Sequence, residues 1–350
     1  MSPQQSITQL NIGNKGIGDG KPCFFIAEIG SNHNQDLDLA RKTIDAAADA
    51  GADAVKFQTF RAADHYSRHA PGFNYLDNAN TYDLIKSLEL NRAWHRDLKR
   101  HAENQGVVFF SSPCDSEAIQ NLAKLDTPAY KVASFDLPDD VLISEIAQTG
   151  KPVILSTGMA TCEEIQWAID ACRQQMNNQI ILLQCTSLYP APARLSNLQA
   201  MNTMRTKFGV LVGYSDHTMG DHVALAAVSM GACIVEKHFT IDRRLPGPDH
   251  AFAMEQGEMA AMIRKAREIE AAIGDGAKDG PRDEEQEMAE KGRRSLHAHG
   301  PIAAGQAITA EMLVVKRPGL GISPLLKKKL IGKITKKNIE ADQWITWDMF

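Results

Sequence analysis

Ionisable and polar side chains stand near the carboxyl ends of short apolar segments in this sequence. The segment CFFIAEIG contains Glu28, and the segment AVKFQTF contains Lys56 and Gln58, two residues apart. Because residues two apart in a strand point to the same face, Lys56 and Gln58 should face one site. Glu28 could pair with Lys56 as a purely structural contact, or it could transfer protons in a reaction.

Hydroxyl and ammonium groups recur at the ends of the following apolar segments. A single serine at such a position is explained most simply as a hydrogen-bonding group at the end of a strand. Several hydroxyls together with lysines suit a phosphate, which needs many hydrogen-bond donors and positive charge. The candidates for this phosphate site are Ser112, Lys131, Ser134, Ser156 and Ser215.

Two histidines occur at the ends of the last two apolar segments. His217 follows VLVGYSD, and His238 lies in CIVEKHFT, two residues after Glu236. If these segments are neighbouring strands, the two imidazoles can face one cation, with water or substrate in the remaining positions. We therefore predict a divalent metal held by His217 and His238, the alternative being a pair of structural histidines.

Two further candidates lie in loops. Asp249, in LPGPDH, could bind the hydroxyls of a polyol or could cap a turn. Tyr189, in CTSLYPAP, could pack against the wall of a site or contact a substrate. The residues alone leave both alternatives open.

The apolar segments that position these groups occur eight times, each followed by a stretch with helical periodicity. This alternation predicts an α/β fold, a (β/α)8 TIM barrel, whose active site lies at the carboxyl ends of its parallel strands. The predicted strands are CFFIAEIG (from Cys23), AVKFQTF (from Ala54), VVFFSSP (from Val107), YKVASF (from Tyr130), PVILSTG (from Pro152), IILLQCT (from Ile180), VLVGYSD (from Val210) and CIVEKHFT (from Cys233).

The chain divides into a large and a small domain by composition. Residues 1–274 contain all eight predicted strands and form the catalytic barrel. Residues 275–292 are polar, contain glycine and have few large apolar residues, as expected of a linker. Residues 293–350 contain short β-like segments broken by Gly and Pro, which predicts a small β-rich domain.

Composition excludes several classes of partner. The net charge of −5 over 350 residues lacks the basic signature of proteins that bind nucleic acid or anionic membranes. No apolar segment approaches the length that spans a membrane, so we expect a cytoplasmic protein. Six cysteines without a CxxC pair are expected to be reduced thiols.

The sequence resembles the sialic-acid synthase family in a series of motifs that occur in the same order along the chain. The motifs are AEIGSNHN, GADAVKFQTF, YKVASFD, ILSTGMA, QCTSLYPAP, VGYSDHT, EKHFTID and GPDH. The C-terminal motifs PIAAGQAIT and VKRPGLGIS are similar to the small antifreeze-like (SAF) domain of these synthases. The resemblance runs from about Cys23 to the C-terminus, and it implies that the tail acts as a substrate lid.

This resemblance implies a carbon-carbon bond-forming reaction. The family condenses phosphoenolpyruvate with an open-chain N-acylated mannosamine-type sugar, releases phosphate and forms a nine-carbon 2-keto acid. By resemblance, His217 and His238 hold a divalent metal, Mn²⁺ by preference, with Mg²⁺ or Co²⁺ as substitutes. Glu28 and Glu236 are the candidates for stabilising charge and transferring protons, in roles that the sequence does not separate.

The same resemblance assigns the binding residues. It implies that Lys56 and Gln58 lie against the substrates, that Asp249 binds sugar hydroxyls and that Tyr189 lines the pocket. The phosphate is implied to lie among Lys131, Ser134, Ser156, Ser215 and Ser112. Arg317 matches a family arginine that reaches the N-acyl group in a partner's barrel, which implies a domain-swapped homodimer.

The sequence favours one product and leaves others open. VGYSDHT and GPDH resemble the synthases of neuraminic and legionaminic acids, whereas ASFD resembles the synthases of pseudaminic acid. We expect an N-acetylneuraminate-type product, the alternative being legionaminic or pseudaminic acid made from a 2,4-diacetamido-2,4,6-trideoxy hexose. More distant alternatives are a phosphoenolpyruvate-condensing barrel that uses a phosphorylated sugar, and a carbohydrate-binding protein with no enzymatic activity.

Overall fold

The computed structural model describes residues 8–72 and 80–350. The chain forms two compact units that divide after Gly274. The first unit begins with an antiparallel hairpin, β1 (Gln9–Ile12) and β2 (Lys15–Gly18), which sequence reasoning did not predict.

After the hairpin, the first unit is a closed barrel of eight parallel strands. The predicted (β/α)8 barrel is therefore confirmed, and each predicted segment contains one strand. The strands are β3 (Phe24–Gly30), β4 (Ala54–Thr59), β5 (Val108–Pro113), β6 (Tyr130–Val132), β7 (Val153–Ser156), β8 (Ile180–Cys185), β9 (Leu211–Asp216) and β10 (Ile234–His238). The barrel closes where β10 pairs with β3, with Ile234 opposite Phe24 and His238 opposite Glu28.

Helices fill the connections between the strands. They are α1 (Leu37–Asp49), α2 (Ala62–His65), α3 (Thr81–Ser87), α4 (His95–Asn104), α5 (Ser116–Lys124), α6 (Asp140–Gln148), α7 (Cys162–Gln174), α8 (Gln199–Phe208), α9 (His222–Ser229) and α10 (Gln256–Ile273). Local sequence explains their starts: the side chain of Asp36 accepts from the first backbone N–H groups of α1, and Thr161 forms a capping box with Glu164 in α7. In the described ranges, no helix is both long enough and apolar enough to cross a membrane.

The barrel interior changes from apolar to polar along the strands. One buried cluster joins inward-facing residues near the amino ends of the strands to Leu10 and Ile17 of the hairpin, which therefore covers that end of the barrel. These inward residues include Ile26, Ala54, Phe110, Ile154 and Ile234. Two positions further along the same strands stand Glu28, Lys56, Ser112, Ser156 and Glu236. Because strand side chains alternate with a period of two, these polar groups also point inward, at the carboxyl end.

The second unit has its own small core. It contains α11 (Gln286–Gly292), β11 (Ser295–Ala298), β12 (Leu313–Lys316) and α12 (Lys327–Leu330), and β11 pairs antiparallel with β12. Its buried residues include Leu296, Ile302, Ile308, Leu313 and Ile345. The segment 275–292, predicted as a linker, is not entirely irregular: it ends in α11, and the backbone oxygen of Glu290 accepts from Gly319 N at 2.6 Å.

Candidate active site

Four ionisable side chains and one amide meet inside the carboxyl end of the barrel. Lys56 Nζ lies 2.7 Å from Glu28 Oε2 and 3.7 Å from Glu236 Oε2, and Lys131 Nζ lies 3.8 Å from Glu236 Oε1. Gln58 Nε2 donates to Glu28 Oε1 at 2.7 Å. All four charged groups are buried. The structure thus brings together the residues predicted to catalyse the reaction.

The surroundings shift the pKa values of the two carboxyls in opposite directions. Burial, followed by the charge of Glu236, raises the pKa of Glu28 in spite of Lys56. Burial would also raise the pKa of Glu236, but Lys131 and Lys56 outweigh it and lower that pKa. Such a divergence separates a carboxyl that can exchange a proton from one that stays charged.

The two lysines also differ from each other. Burial would lower the pKa of Lys56, but Glu236 and Glu28 outweigh it and raise that pKa. Burial dominates at Lys131 and lowers its pKa. Both ammonium groups lie within 4 Å of Glu236, at 3.7 Å for Lys56 and 3.8 Å for Lys131.

Serine hydroxyls surround this ionic cluster. Ser112 Oγ accepts from Lys56 Nζ at 3.2 Å, and Ser215 Oγ donates to Glu236 Oε1 at 2.9 Å. Ser156 Oγ is buried and makes no hydrogen bond among the described residues. A buried hydroxyl without a partner is costly unless a ligand satisfies it, so Ser156 fits a phosphate site.

Ser187, which sequence reasoning did not select, offers a further hydroxyl near Ser134. Gly158 N donates to Ser134 Oγ at 2.9 Å, and a Cβ on Gly158 would come within 2.4 Å of Ser187 Oγ. Ser187 Oγ is buried and also lacks a hydrogen bond within the described ranges. Ser134 and Ser187 therefore offer hydroxyls next to a glycine that permits close approach.

His217 and His238 lie side by side, with ring centroids 5.3 Å apart. His217 Nδ1 is 2.8 Å from the carbonyl oxygen of Thr186, which can only accept, so in the neutral ring Nδ1 carries the proton and Nε2 is left as an electron-pair donor. Burial lowers the pKa of His238 well below its usual range, which favours the neutral imidazole. Burial would also lower the pKa of His217, but Cys185 and the Thr186 carbonyl outweigh it and raise that pKa, so His217 must lose a proton before it can bind a metal.

The predicted metal site would have two protein ligands, His217 and His238. In the part of the chain that the structure describes, they do not join a third His, Cys, Asp or Glu in a set of ligand atoms within 4.8 Å of one another. His238 Nδ1 lies 3.5 Å from Asp249 Oδ2. The arrangement fits a cation whose remaining positions are filled by water or substrate.

Tyr189 and Asp249 form the wall next to the histidines. The Tyr189 ring centroid lies 4.3 Å from that of His217 and 5.6 Å from that of Phe252. Burial and the charge of Glu28 raise the pKa of Asp249 to about 6. Both predicted loop residues thus contact the site.

A cavity of about 160 Å³ opens at this end of the barrel. Its lining includes Gln58, Ser112, Tyr189, His238 and Asp249. A larger cavity of about 690 Å³ lies around the amino ends of the strands, beside Lys21 and Arg205, and is lined by none of the predicted site residues. The smaller cavity is the candidate active site because barrel enzymes react at the carboxyl ends of their strands.

Two groups of polar residues in this region were not predicted from the sequence. His65, Cys114 and Asp136 line the cavity, with Asp136 oxygens 3.9 Å from His65 Nε2 and 3.8 Å from Cys114 Sγ. Lys237 and Asp216 form a buried ion pair of 2.7 Å between β10 and β9. Neither group could be recognised from the spacing of its residues along the chain. Cys114 and Asp136 are 22 residues apart, and Lys237 and Asp216 are 21 residues apart.

The cysteines and Arg317 complete the set of predicted features. All six cysteines are free thiols. Arg317 belongs to the second unit, where it is exposed and its Nε donates to the carbonyl oxygen of Gly292 at 2.6 Å. Its predicted contact with a partner's barrel stays a prediction.

Comparison with known proteins identifies the family. The sequence profile of the NeuB family matches residues 43–278, and that of the SAF domain matches residues 293–350. The chain belongs to the NeuB family. The N,N'-diacetyllegionaminic acid synthase of Campylobacter jejuni is 39% identical over 93% of this chain and 99% of its own length.

Two further relatives bear other names. The pseudaminic acid synthase of Campylobacter jejuni is 36% identical over 95% of this chain and 97% of its own length. The crystal structure of the N-acetylneuraminic acid (sialic acid) synthetase from Leptospira borgpetersenii superposes with a TM-score of 0.72 at 35% identity, covering 81% of this chain and 95% of that one. The resemblance to sialic-acid synthases is therefore confirmed, and this family member is a sugar-acid synthase of the same broad class.

Proposed function

We propose that this NeuB family member condenses phosphoenolpyruvate with an N-acylated mannosamine-type sugar, forms a nine-carbon 2-keto sugar acid and releases inorganic phosphate. One observation supports this most strongly. Two lysines and two carboxyls are buried together inside the barrel, beside serine hydroxyls without partners. A trianionic substrate that exchanges protons needs this combination of positive charge, donors and carboxyls.

Phosphoenolpyruvate binds through its phosphate in this proposal. Lys131 provides charge, and Ser134, Ser156 and Ser187 provide hydroxyls, while Ser112 and Ser215 hold the ionic cluster in place. Lys56 lies between the two carboxyls and reaches the enol end of the substrate. Gln58 fixes Glu28 through its hydrogen bond.

The chemistry proceeds in two stages. The methylene carbon of the enol attacks the sugar aldehyde carbon, and Glu28 gives a proton to the aldehyde oxygen, which becomes a hydroxyl. The carbon that bears the phosphate is left with positive charge, which the ionised Glu236 stabilises. Water then adds to this carbon and gives one proton back to Glu28. The hydroxyl formed there loses its proton to the leaving phosphate as the bond between carbon and the bridging oxygen breaks, which gives the ketone and inorganic phosphate.

His217 and His238 are the residues that would hold a divalent cation, for which Mn²⁺, Mg²⁺ and Co²⁺ are the candidates. A bound cation would polarise the aldehyde as a Lewis acid. His238 lines the same cavity as Asp249, which binds hydroxyls of the sugar, and Tyr189, whose ring packs against His217.

The second unit contributes to binding in this proposal. Arg317 of one subunit reaches the N-acyl group of the sugar bound in the barrel of a second subunit, so that the protein acts as a domain-swapped homodimer. Its guanidinium group is suited to this because it is exposed and carries several N–H donors.

The product acid is supported less strongly than the reaction. The relatives named for legionaminic, pseudaminic and N-acetylneuraminic acids have similar sequence identities to this chain, so similarity supports the condensation that they share but does not favour one product. N-acetylneuraminate-type chemistry is the expectation from the sequence motifs, and the two diacetamido sugars are the alternatives.

The proposal is tested by incubating the purified protein with phosphoenolpyruvate, Mn²⁺ and each candidate sugar in turn. We expect phosphate release that requires both substrates and a product with the mass of the sugar plus phosphoenolpyruvate plus water minus phosphoric acid. Release without a sugar, or only with phosphorylated sugars, would contradict it.

A further inference from the structure

An imidazole, a thiol and a carboxyl meet on the lining of the candidate active site, and the proposed function gives none of them a role. They belong to His65, Cys114 and Asp136. One ligand atom from each residue lies within 4.8 Å of the ligand atoms of the other two. Within the described ranges, no other three His, Cys, Asp or Glu residues come together in this way. These three donors are therefore a candidate metal site.

The distances between the donor atoms are close to those of a tetrahedral zinc site. His65 Nε2 lies 3.9 Å from Asp136 Oδ1, and Cys114 Sγ lies 3.8 Å from Asp136 Oδ2. Zinc bonds of about 2.0 Å to nitrogen and oxygen and about 2.3 Å to sulfur place tetrahedral ligand atoms about 3.3–3.5 Å apart. Small rotations of these side chains would therefore bring the three atoms into bonding distance of one ion.

The fold presents each donor from a different connection of the barrel. Cys114 follows Ser112 by two residues at the end of β5, so the two side chains point to the same face. Asp136 lies in the turn after β6, and His65 lies in α2, where its ring stacks on that of Phe60 with planes 17° apart. All three donors are half-buried, so a metal ion can reach them from solvent.

The chemistry of the donors selects a thiophilic cation. Zn²⁺ binds thiolate, imidazole and carboxylate, whereas Mn²⁺ and Mg²⁺ prefer oxygen ligands. Three protein ligands leave the fourth tetrahedral position open to water in the cavity. Because Cys114 binds as the thiolate, it releases its proton to solvent when the metal binds.

We propose that His65, Cys114 and Asp136 form a Zn²⁺ site, and that Zn²⁺ bound there inhibits the condensation. The site uses neither of the two histidines that are predicted to hold the catalytic cation. Its donors share a cavity of about 160 Å³ with Asp249, which binds sugar hydroxyls in the proposed function. A cation and its water take up part of this space and exclude the sugar. The inhibition rests on the proposed function, whereas the binding of Zn²⁺ does not.

Metal content tests the binding without any measurement of activity. In His217→Ala, which lacks one ligand of the predicted catalytic cation, we expect about one Zn²⁺ per chain after equilibration with Zn²⁺ and gel filtration. Cys114→Ser, added to this variant, should remove the bound Zn²⁺. Cys162→Ser makes the same change at a half-buried cysteine outside the cavity and should leave the Zn²⁺ content unchanged.

Co²⁺ tests whether the thiolate is a ligand. Co²⁺ takes the place of Zn²⁺ in tetrahedral sites, and its bond to a thiolate gives an absorption band in the near ultraviolet. We expect this band in the wild-type protein and in His217→Ala, but not in Cys114→Ser. His65→Ala should keep the band and weaken Co²⁺ binding by at least about tenfold, whereas His69→Ala, at an exposed histidine outside the cavity, should change neither.

Inhibition is measured on the Mn²⁺-loaded enzyme, and each variant is compared with its own rate without Zn²⁺. Zn²⁺ should lower phosphate release by the wild-type enzyme. Cys114→Ser should raise the Zn²⁺ concentration for half inhibition by at least about tenfold, because even an outer partner of a metal ligand contributes about 10- to 100-fold to metal affinity.

The outcomes separate the Zn²⁺ site from the proposed function. Absence of Zn²⁺ from His217→Ala, or a Co²⁺ band that survives Cys114→Ser, overturns the site. Equal inhibition of the wild type and Cys114→Ser overturns the inhibitory role. If Cys114→Ser does not fold, equal metal affinity in His65→Ala and His69→Ala overturns the site in its place. Absence of phosphate release with every acceptor sugar overturns the proposed function, while metal content and the Co²⁺ band still decide the site.

Discussion

Lys56 Nζ lies 2.7 Å from Glu28 Oε2, and the two side chains are only 4% and 2% exposed. Charges buried to this degree are stable only when they are paired, and Lys56 is shared with Glu236. Burial, with the charge of Glu236, raises the pKa of Glu28 above its usual range although Lys56 lowers it. In the proposed reaction Glu28 is therefore the carboxyl that gives the proton.

Glu28→Gln tests this role. The amide has nearly the shape of the carboxyl but no proton to give, so we expect kcat/KM to fall by about 10²- to 10⁴-fold with the fold intact. Glu103→Gln, in an exposed pair with Lys99, is the matched control and should have no effect.

The dependence of kcat/KM on pH tests the role of Glu28 as proton donor independently. Glu28 donates in its protonated form, so its contribution to kcat/KM declines as the pH rises through its raised pKa. Glu28→Gln should remove this decline from the residual activity. An unchanged profile in the variant would assign the proton to another group.

Removal of either His217 or His238 tests the metal site. His217→Ala and His238→Ala should each lose metal-dependent phosphate release and bind less Mn²⁺ after treatment with a chelator, while the circular dichroism spectrum stays the same. His101→Ala, on the outside of α4 and paired with Asp45, serves as the control. Full activity with either histidine removed would refute this assignment.

The buried pair Lys237–Asp216 should matter for stability. Lys237 Nζ also donates to the carbonyl oxygen of Thr218 at 2.7 Å, so it joins the strand ends next to His217 and His238. Lys237→Met leaves Asp216 without its partner and should lower the free energy of unfolding by about 3–5 kcal/mol in a denaturant titration. Lys151→Met, in an exposed pair with Asp126, should change it by less than about 1 kcal/mol.

Subunit mixing tests the proposed role of Arg317. Chains with Arg317→Ala keep a working barrel, and chains with Glu28→Gln keep a working second unit. Heterodimers should therefore regain part of the activity that both parent enzymes lack. Absence of rescue after subunit exchange has been verified would count against the swapped arrangement.

The barrel and its polar end were predictable because both depend on local periodicity. An apolar residue followed two positions later by a polar one, as in Ile26 and Glu28 or Ile234 and Glu236, indicates an inward face whose carboxyl end is chemically active. These pairs can be identified within one strand without knowledge of its neighbours.

Features that depend on distant contacts were not predictable in this way. The hairpin β1–β2 is short, and its apolar residues are buried only because they pack against the end of the barrel. His65 lies in α2, Cys114 follows β5 and Asp136 lies in the turn after β6, so the three meet only after the barrel closes.

Phosphoenolpyruvate labelled with ¹⁸O in the oxygen that bridges carbon and phosphorus tests the proposed reaction most directly. The account predicts that, with the acceptor sugar present, the released phosphate contains the label, because water adds to carbon and the carbon-oxygen bond breaks. Unlabelled phosphate would mean cleavage at phosphorus and would contradict the condensation mechanism.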